Sequence, residues 1–365
     1  MNPKFSILCT SFNHERYVAD FINSVLNQTY QDFELVIVDD CSSDKNVEII
    51  KSFNDARIKF IQHEYNKGIN AGLNTAFSNS SGDYIALIAS DDMLKPDYLE
   101  KVLDTFENNN VIAVYCNLNV IDENNKLRDD FEDSSLPFVS NKSREDFLHN
   151  AFLEFNPLYS PGLSIKREYM EKLCPLPLGN VMYQDYRMNV QLLLEDNIKV
   201  LPDKLVDYRI ERENRSSICG VNLSYSRDNL EVDSLMDLFL NISDIEFLKR
   251  IFEKEIEQTK IIPYEETIKY FLGRMALLSS VQARKIWGYH QVMNTYSQNA
   301  DLLYKIYGFQ FKDYLNLTKY FQTATSKHPI KKELKWYKKI LSVRNTSDKK
   351  HKILYLFGIK IKWKR

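Results

Sequence analysis

The stretch that decides the fold is YIALIASDDMLKPDYL, residues 84–99. Its first part, 84–89, is a continuous apolar run of the kind found in strands that are buried inside a sheet. The run stops at Ser90 and is followed directly by Asp91 and Asp92. Two adjacent negative charges at the end of a buried strand need a structural partner or a ligand, because an unpaired buried carboxylate is costly.

The rest of the first 120 residues alternates between strands and helices in the same way. Apolar runs predict strands over Phe5–Thr10, Glu34–Asp40, Ile58–Gln62, 84–89 and 111–121. Helical periodicity predicts helices over 17–25, over 45–53, between Gly68 and Ser80, and from Lys95-Pro96 to Asn108. This alternation is typical of an α/β fold with a mainly parallel sheet.

The second half of the chain is irregular at first and then almost entirely helical. Residues 127–160 show no clear periodicity, 162–173 predicts a strand and a helix, 184–197 a helix, and 198–210 two short strands. From about residue 231 the pattern is helical, and the helix that starts at Pro263 carries an apolar stripe. We therefore predict an α/β domain over 1–230, a helical domain over 231–330 and a tail over 331–365.

Composition limits the class of protein. The chain has 365 residues, of which 44% are hydrophobic, so it can bury a sizeable core and form more than one domain. No apolar run approaches the ~20 residues that span a membrane, and the first residues, MNPKFSILCTSFN, lack a signal-peptide pattern. We expect a cytoplasmic protein whose five widely spaced cysteines are reduced thiols, without a disulfide or zinc framework.

Charge is distributed unevenly along the chain. Residues 331–365 carry thirteen Lys and Arg against two acidic residues, a net +11, which leaves −13 for the rest of a chain whose total is −2. Aromatic and aliphatic residues lie between the lysines of this tail, and that composition suits an anionic membrane surface. A solvated basic helix and a short hairpin packed on the acidic body explain the tail equally well. Binding to nucleic acid is not expected.

Four polar groups follow strands of the predicted sheet, namely Thr10–Asn13, Asp39–Asp40, Asn66–Gly68 and Ser90–Asp92. Open α/β sheets bind ligands at the carboxyl ends of their strands. Neither G-x-G-x-x-G nor G-x-x-x-x-G-K-[ST] occurs to hold a phosphate, but a divalent cation bound by carboxylates can do so. Acidic pairs after strands also serve as helix caps and turn formers, so each pair alone is compatible with a structural role.

Together these segments resemble the family 2 glycosyltransferases, whose nucleotide-sugar-binding domain has the GT-A fold. The resemblance rests on SILCTSFNHERYVADFINSVLNQTYQDFELVIVDDCSSD (6–44), NKGINAGLNTAF (66–77), SGDYIALIASDD (81–92) and YQDYRMNVQLLLEDNIKVLPDKLVDYRI (183–210). These pieces follow the family's order and spacing and cover roughly residues 4–215. The resemblance implies a GT-A catalytic domain with a Rossmann-like, mainly parallel sheet over 1–230.

The resemblance implies a site for a nucleotide sugar. In the family, the turn after the first strand and a nearby acid lie against the nucleoside, the second acid after the second strand reads the uracil edge, and a later loop flanks the base and ribose. The corresponding residues here are Thr10, Phe12, Asn13, Glu15, Asp40, Asn66, Gly68 and Asn70. Ser90 and Asp91 begin the segment that matches the family's D-x-D motif, whose middle acid contacts the ribose or the sugar.

The resemblance also implies a metal ion and a catalytic base. Asp92, the last acid of the motif, would bind Mn²⁺ or Mg²⁺ and thereby hold the diphosphate. Asp185 matches the base at the start of a helix, where its ionised carboxylate can take a proton from an acceptor hydroxyl. The helix dipole alone also favours an acid there. Glu211 stands where the family often has a histidine, so Glu211 is a further candidate metal ligand and the metal shell is in question.

The predicted function is an inverting transfer of a sugar from a nucleotide sugar, expected to be a UDP-sugar, to a hydroxyl of a glycan or lipid-linked acceptor. The expected setting is the synthesis of capsule, lipooligosaccharide or another surface polysaccharide, with the tail attached peripherally to the inner face of the cytoplasmic membrane. A sugar nucleotidyltransferase is one alternative, although TSFNHERY (10–17) matches its Gly- and Arg/Lys-rich loop poorly. A catalytically silent scaffold is another. Arg209 is expected to be solvated or to face the pyrophosphate.

Overall fold

A computed structural model describes residues 2–128, 138–210 and 230–321, together with the backbone of three strands between 341 and 364. Two units can be distinguished, Met1–Gln310 and Phe311–Arg365. The finer division of the chain at residues 230 and 330 stays a prediction. Among the described residues, no helix combines the length and the apolar character needed to cross a membrane.

The first unit is built around an eight-stranded sheet with the order β3-β2-β1-β4-β7-β6-β8-β5. Its strands are β1 (Phe5–Ser11), β2 (Phe33–Asp39), β3 (Ile58–Gln62), β4 (Tyr84–Leu87), β5 (Met93–Leu94), β6 (Ala113–Ile121), β7 (Leu163–Lys166) and β8 (Ile198–Arg209). The pairs β1–β2, β2–β3, β1–β4 and β6–β8 are parallel. Only β7 and β5 run antiparallel to their neighbours. The predicted α/β fold with a mainly parallel sheet is confirmed.

Helices alternate with these strands and cover both faces of the sheet. They are α1 (Val18–Leu26), α2 (Asn46–Ser52), α3 (Ile69–Ser78), α4 (Tyr98–Asn108), α5 (Arg144–Leu153), α6 (Arg167–Leu173) and α7 (Gln184–Glu195). On one face, Phe5, Ile7 and Cys9 of β1 join a hydrophobic core with α1 and α4. On the other face α3 lies so close that a Cβ on Gly72 would overlap the side chain of Thr10. This double coverage explains why the strands are continuous apolar runs.

In the α/β part of the chain, three predictions differ from the structure by more than one or two residues at an end. Helix α5 forms inside the segment that was predicted to be irregular, and the Ser143 hydroxyl caps it by accepting a hydrogen bond from the Asp146 N–H. β8 is one strand instead of two, because it stays paired with β6 across a bulge at Asn117. Helix α4 begins at Tyr98 instead of Lys95, because the residues before Lys95 pair with β8 as β5.

A helical region follows β8, as predicted, and it belongs to the same unit, Met1–Gln310. It comprises α8 (230–236), a 3₁₀ helix (Asp237–Asn241), α9 (Ile245–Ile251), α10 (Glu253–Thr259), α11 (Ile268–Ala276) and α12 (Gln282–Tyr307). The helix predicted to start at Pro263 begins at Ile268 instead, and its apolar stripe is buried at Phe271, Leu272 and Met275. Helices α11 and α12 approach closely, since a Cβ on Gly288 would lie 2.6 Å from the carbonyl oxygen of Gly273.

The second unit contains α13 (Phe311–Leu315), a 3₁₀ helix (Asn316–Phe321) and a three-stranded antiparallel sheet of β9 (Leu341–Asn345), β10 (His351–Leu356) and β11 (Ile359–Lys364). β10 and β11 pair antiparallel, and a short hairpin in the tail is part of one of the two explanations given for it above. The same explanation includes a basic helix in KKELKWYKKILSVRN (331–345), of which 331–340 lies outside the described residues and 341–345 forms β9.

Candidate functional site

The carboxyl ends of β1, β2 and β4 meet at one edge of the sheet. β1 and β2 are in register up to their last residues, where Ser11 lies opposite Asp39, and β4 runs parallel to β1 on its other side. The polar groups that follow these strands are therefore brought together, as in other open α/β sheets. Phe12, in the turn after β1, is 42% exposed and open to a ligand.

Asp39, the first of the two acids after β2, has a structural role. It is fully buried and accepts hydrogen bonds from the N–H and the hydroxyl of Ser42, at 3.0 and 2.5 Å. The Asn46 Nδ2 donates a further bond at 2.8 Å. These bonds shape the turn that leads into α2, so the turn-forming alternative accounts for Asp39.

Asp40, which the resemblance assigns to the uracil edge, holds the loop before α3. It accepts hydrogen bonds from His63 Nδ1 at 2.7 Å and from the N–H groups of Lys67 and Gly68 at 2.8 and 2.7 Å. Gly68 has a φ of +85°, which favours glycine, and its N–H also donates to Asn66 Oδ1 at 3.2 Å. The carboxylate thus organises the predicted base-flanking loop, and its direct contact with a base stays a prediction.

Asn13 and Glu15 join the turn after β1 to the loop before α2. Asn13 Oδ1 accepts a hydrogen bond from the Ser43 N–H at 2.8 Å, and Glu15 Oε2 accepts one from the Lys45 N–H at 2.9 Å. Asn13 adopts a φ of +56°, which this residue type tolerates. Both side chains shape the rim of the site, and their contacts with a nucleoside, like those of Thr10, stay predictions.

Asn70 holds a segment that the sequence did not connect with it. It is 4% exposed, and its Nδ2 donates to the carbonyl oxygens of Pro177 at 2.7 Å and Asn180 at 3.0 Å. Both protons of the amide are therefore used inside the protein. A contact between Asn70 and the base or ribose stays a prediction and would fall to its Oδ1.

The two acids after β4 lie on a turn that Arg209 holds in place. The Arg209 N–H donates to Asp92 Oδ1 at 2.9 Å, and its Nε donates to the Asp91 carbonyl oxygen at 2.8 Å. Its Nη1 and Nη2 donate to the Asp122 carbonyl oxygen at 2.7 Å and to Asn125 Oδ1 at 2.6 Å. Arg209 is 5% exposed, so the expectation of a solvated arginine is wrong, and its contact with a pyrophosphate stays a prediction.

Asp92, the predicted metal ligand, keeps one oxygen without a partner. It is 1% exposed, and its Oδ2 makes no hydrogen bond within the described part of the chain. Burial, and then the charge of Asp91, raise the pKa of Asp92 well above its ordinary value. A bound cation would offset both effects, because it supplies positive charge and coordinates Oδ2.

These residues fit a divalent cation that shares its shell with a ligand. Within 2–128, 138–210 and 230–321, no cluster of three or more His, Cys, Asp or Glu side chains could hold a metal by itself. A cation at Asp92 would therefore take further ligands from a diphosphate and water, which is the usual arrangement for Mg²⁺. Glu211, the other predicted metal ligand, lies outside the described residues.

His14 belongs to the site, although the sequence did not single it out. Its Nδ1 lies 2.7 Å from the Ser90 hydroxyl, and its Nε2 lies 3.9 Å from Asp91 Oδ2. Ser90 is fully buried and fixes the orientation of the ring. No local pattern signals this contact, because 76 residues separate His14 from Ser90.

Asp185, the predicted base, lies in the first turn of α7. Its Oδ1 accepts a hydrogen bond from the Tyr186 N–H at 2.7 Å, and its Oδ2 accepts a longer one from Asn156 Nδ2 at 3.3 Å. Burial raises the pKa of Asp185 above its ordinary value. A carboxylate with a raised pKa binds a proton more strongly and is a better general base as long as it is ionised.

Three carboxylates act electrostatically on Tyr208. Burial, and then the charges of Asp92, Asp91 and Asp185, raise the pKa of Tyr208 to about 12. The predicted metal ligand and the predicted base therefore lie within electrostatic reach of one hydroxyl group, although they are far apart in sequence. The arrangement offers a site for a cation and a site for proton transfer in one place.

The family model and the relatives that match this chain are all described as glycosyltransferases. The family model described as Glycosyl transferase family 2 matches residues 6–173. An uncharacterised glycosyltransferase of Nostoc sp. is 28% identical over 294 residues, which cover 78% of this chain and 86% of that protein. One of Methanocaldococcus jannaschii is 31% identical over 221 residues, which cover 58% of this chain and 73% of that protein.

A relative with a stated reaction matches a shorter segment. The Escherichia coli UDP-Glc:alpha-D-GlcNAc-diphosphoundecaprenol beta-1,3-glucosyltransferase WfgD is 39% identical over 119 residues, which cover 33% of this chain and 47% of that protein. Among solved structures, S. aureus TarS 1–349 has a TM-score of 0.56 at 18% identity, covering 84% of this chain and 93% of that one. Its complex with UDP-GlcNAc has a TM-score of 0.55. This likeness shows a shared fold.

Proposed function

The chain belongs to glycosyltransferase family 2 and has the GT-A fold, and we propose that it transfers a sugar from a UDP-sugar to a hydroxyl group with inversion at the anomeric carbon. The observation that carries the proposal is that Asp92, after β4, keeps a buried oxygen without a hydrogen bond among the described residues. Asp91, Asp92 and Asp185 all act electrostatically on Tyr208, whose pKa is raised first by burial and then by these charges. A base for the acceptor and a site for the donor diphosphate are then available together.

Asp185 acts as the general base in this proposal. The acceptor oxygen attacks the anomeric carbon, the bond from that carbon to the diphosphate oxygen breaks, and the acceptor proton goes to Asp185. Its Oδ2 is the better placed oxygen, because the side-chain bond that it accepts among the described residues is the 3.3 Å contact from Asn156, whereas Oδ1 is held at 2.7 Å by the Tyr186 N–H. Burial raises the pKa of Asp185 and so favours this transfer.

The turn at 91–92 holds the donor diphosphate in this proposal. Mn²⁺ or Mg²⁺ bound at Asp92 Oδ2 would supply positive charge for the leaving diphosphate. Arg209 fixes the other oxygen of Asp92 through its backbone N–H at 2.9 Å. Asp91, which is less buried than Asp92, is left to contact the ribose or the sugar.

Two relatives support the choice of donor and acceptor. WfgD is named as using UDP-Glc, and TarS has been solved with UDP and with UDP-GlcNAc. The named acceptor of WfgD is GlcNAc-diphosphoundecaprenol. We therefore propose a UDP-sugar as the donor, a lipid-linked glycan as the acceptor, and a role in surface-polysaccharide synthesis.

One assay separates this function from its alternatives. The full chain is incubated with Mn²⁺, a panel of UDP-, GDP- and dTDP-sugars and a GlcNAc-diphospho-lipid, and the release of UDP is measured. A second set of reactions contains UTP and a panel of sugar 1-phosphates, and the release of pyrophosphate is measured. UDP release that increases with the acceptor supports glycosyl transfer. Release of pyrophosphate would instead support a nucleotidyltransferase, and donor binding without either product would support a silent scaffold.

The basic tail is proposed to bind an anionic membrane surface. The support comes from its sequence, thirteen Lys and Arg with interspersed aromatic residues in 331–365. Sedimentation with phosphatidylglycerol vesicles should retain the full chain and lose a variant that ends at residue 330. Phosphatidylcholine vesicles are the control. Equal sedimentation of the two chains with anionic vesicles would contradict the proposal.

A further inference from the structure

A buried glutamate of the helical region accepts hydrogen bonds from the segment that precedes α7. Glu231 lies in α8 and is 9% exposed. Its Oε2 accepts hydrogen bonds from three consecutive N–H groups, those of Val181, Met182 and Tyr183, at 3.0, 2.9 and 3.1 Å. Successive N–H groups that converge on one carboxylate oxygen form an anion-binding turn. This turn leads directly into α7, whose N-cap is Tyr183.

Further bonds hold the same segment, 177–183, from two other elements. Asn180 Nδ2 donates to the Ser234 hydroxyl of α8 at 3.1 Å, and the Asn180 carbonyl oxygen accepts from Asn70 of α3 at 3.0 Å. Arg187 Nη1 of α7 donates to the Ser234 carbonyl oxygen at 2.8 Å. The start of α7 is thus fixed between the helical region and the helix that follows the predicted base-flanking loop.

We infer that Glu231 is a positioning residue for Asp185. The last N–H that Glu231 binds is that of Tyr183, two residues before Asp185. The first turn of α7 therefore cannot move unless this N–H moves as well. A general base must lie within hydrogen-bonding distance of the acceptor hydroxyl, and a misplacement of about 1 Å can slow a reaction by about 100-fold. The helical region then takes part in catalysis through α8.

Two substitutions of Glu231 distinguish the effect of its hydrogen bonds on the position of α7 from the effect of its negative charge. The Oε1 of Glu231 is buried and makes no hydrogen bond within the described residues. In Glu231→Gln the amide oxygen can keep the place of Oε2 and accept all three N–H groups, while the amide nitrogen takes the place of Oε1. In Glu231→Ala the three N–H groups lose their acceptor. The first variant therefore preserves the turn and the second releases it.

The kinetic test rests on the proposed function. Glu231→Ala should lower kcat by about 100-fold with KM for the donor within about threefold of wild type, and Glu231→Gln should restore most of kcat. Thr267→Val is the control for stability, because Thr267 is fully buried in the helical region and its hydroxyl bonds the Tyr307 hydroxyl at 2.7 Å. Equal kcat for Glu231→Ala and Thr267→Val at equal melting temperatures would overturn the inference.

Amide hydrogen exchange tests the positioning independently of turnover. Exchange at 181–186 should accelerate in Glu231→Ala and stay at the wild-type rate in Thr267→Val. If the wild-type chain turned over no sugar nucleotide, the proposed function would fail, and exchange alone would decide the role of Glu231. Unchanged exchange at 181–186 in Glu231→Ala would overturn the inference in either case.

Discussion

Replacing Asp185 by asparagine tests the proposed base with little change in structure. The amide oxygen can accept the Tyr186 N–H as Oδ1 does at 2.7 Å, and only the 3.3 Å bond from Asn156 is lost. The proton acceptor disappears, so kcat should fall by about 10²–10⁴-fold, which corresponds to about 2.7–5.4 kcal/mol of activation free energy. The affinity for UDP should not change, because the donor contacts lie elsewhere.

The same substitution should leave stability unchanged or raise it. Burial raises the pKa of Asp185 in the folded state, so the folded chain binds the proton more tightly than the unfolded chain does. The stability linked to that proton is present below the unfolded pKa and is lost as pH rises through the folded pKa. At neutral pH the ionised carboxylate is therefore a cost that Asp185→Asn removes, and the melting temperature should equal or exceed that of wild type.

Single-turnover release of UDP, calorimetric titration with UDP and thermal melts measure these three quantities. Glu195→Gln is the matched control, because Glu195 ends the same helix, is exposed and forms an ion pair with Lys172 at 2.5 Å. A turnover of Asp185→Asn within about threefold of wild type would refute the assignment of the base. If the fall in kcat were accompanied by a clearly lower melting temperature, Asp185 would have a structural role instead.

Four further results are expected. Asp92→Asn should lose the Mn²⁺-dependent part of UDP binding, measured by calorimetry with and without Mn²⁺, because Oδ2 is the free buried oxygen. Arg209→Lys should weaken UDP binding by about tenfold in the same titration, since a lysine cannot hold both the Asp92 turn and its other partners. Gly288→Ala should lower the free energy of unfolding by about 1–3 kcal/mol in urea titrations, because its Cβ would meet a carbonyl oxygen at 2.6 Å. In the pH profile of kcat, the acidic limb should have an apparent pKa above the ordinary Asp value of about 3.9, because burial raises the pKa of Asp185. This limb should disappear in Asp185→Asn.

The sheet can be predicted from the sequence because its strands are covered on both faces. β3 has the predicted bounds, β1 extends one residue further than predicted, and β2 is shifted by one residue at both ends. Helix α5 escaped prediction because it is buried on several sides. Its apolar residues contact α7, α9 and α11, so they do not form the single stripe that periodicity detects.

The site was predictable in residue type but not in hydrogen bonding. A sequence places Arg209 and Asn70 near a ligand, but it cannot tell that each guanidinium nitrogen of Arg209 and both amide protons of Asn70 already bind protein oxygens. Those partners are far along the chain, so only the fold reveals them. Asp92 and Asp185 differ from these two residues. Among the described residues, Asp92 keeps a buried oxygen without a hydrogen bond, and Asp185 has an oxygen that accepts a long bond of 3.3 Å. A substrate or a cation can bind only to polar atoms that the protein itself does not already use. Asp92 and Asp185 have such atoms and are therefore proposed to take part in the chemistry, whereas Arg209 supports the turn that carries Asp92.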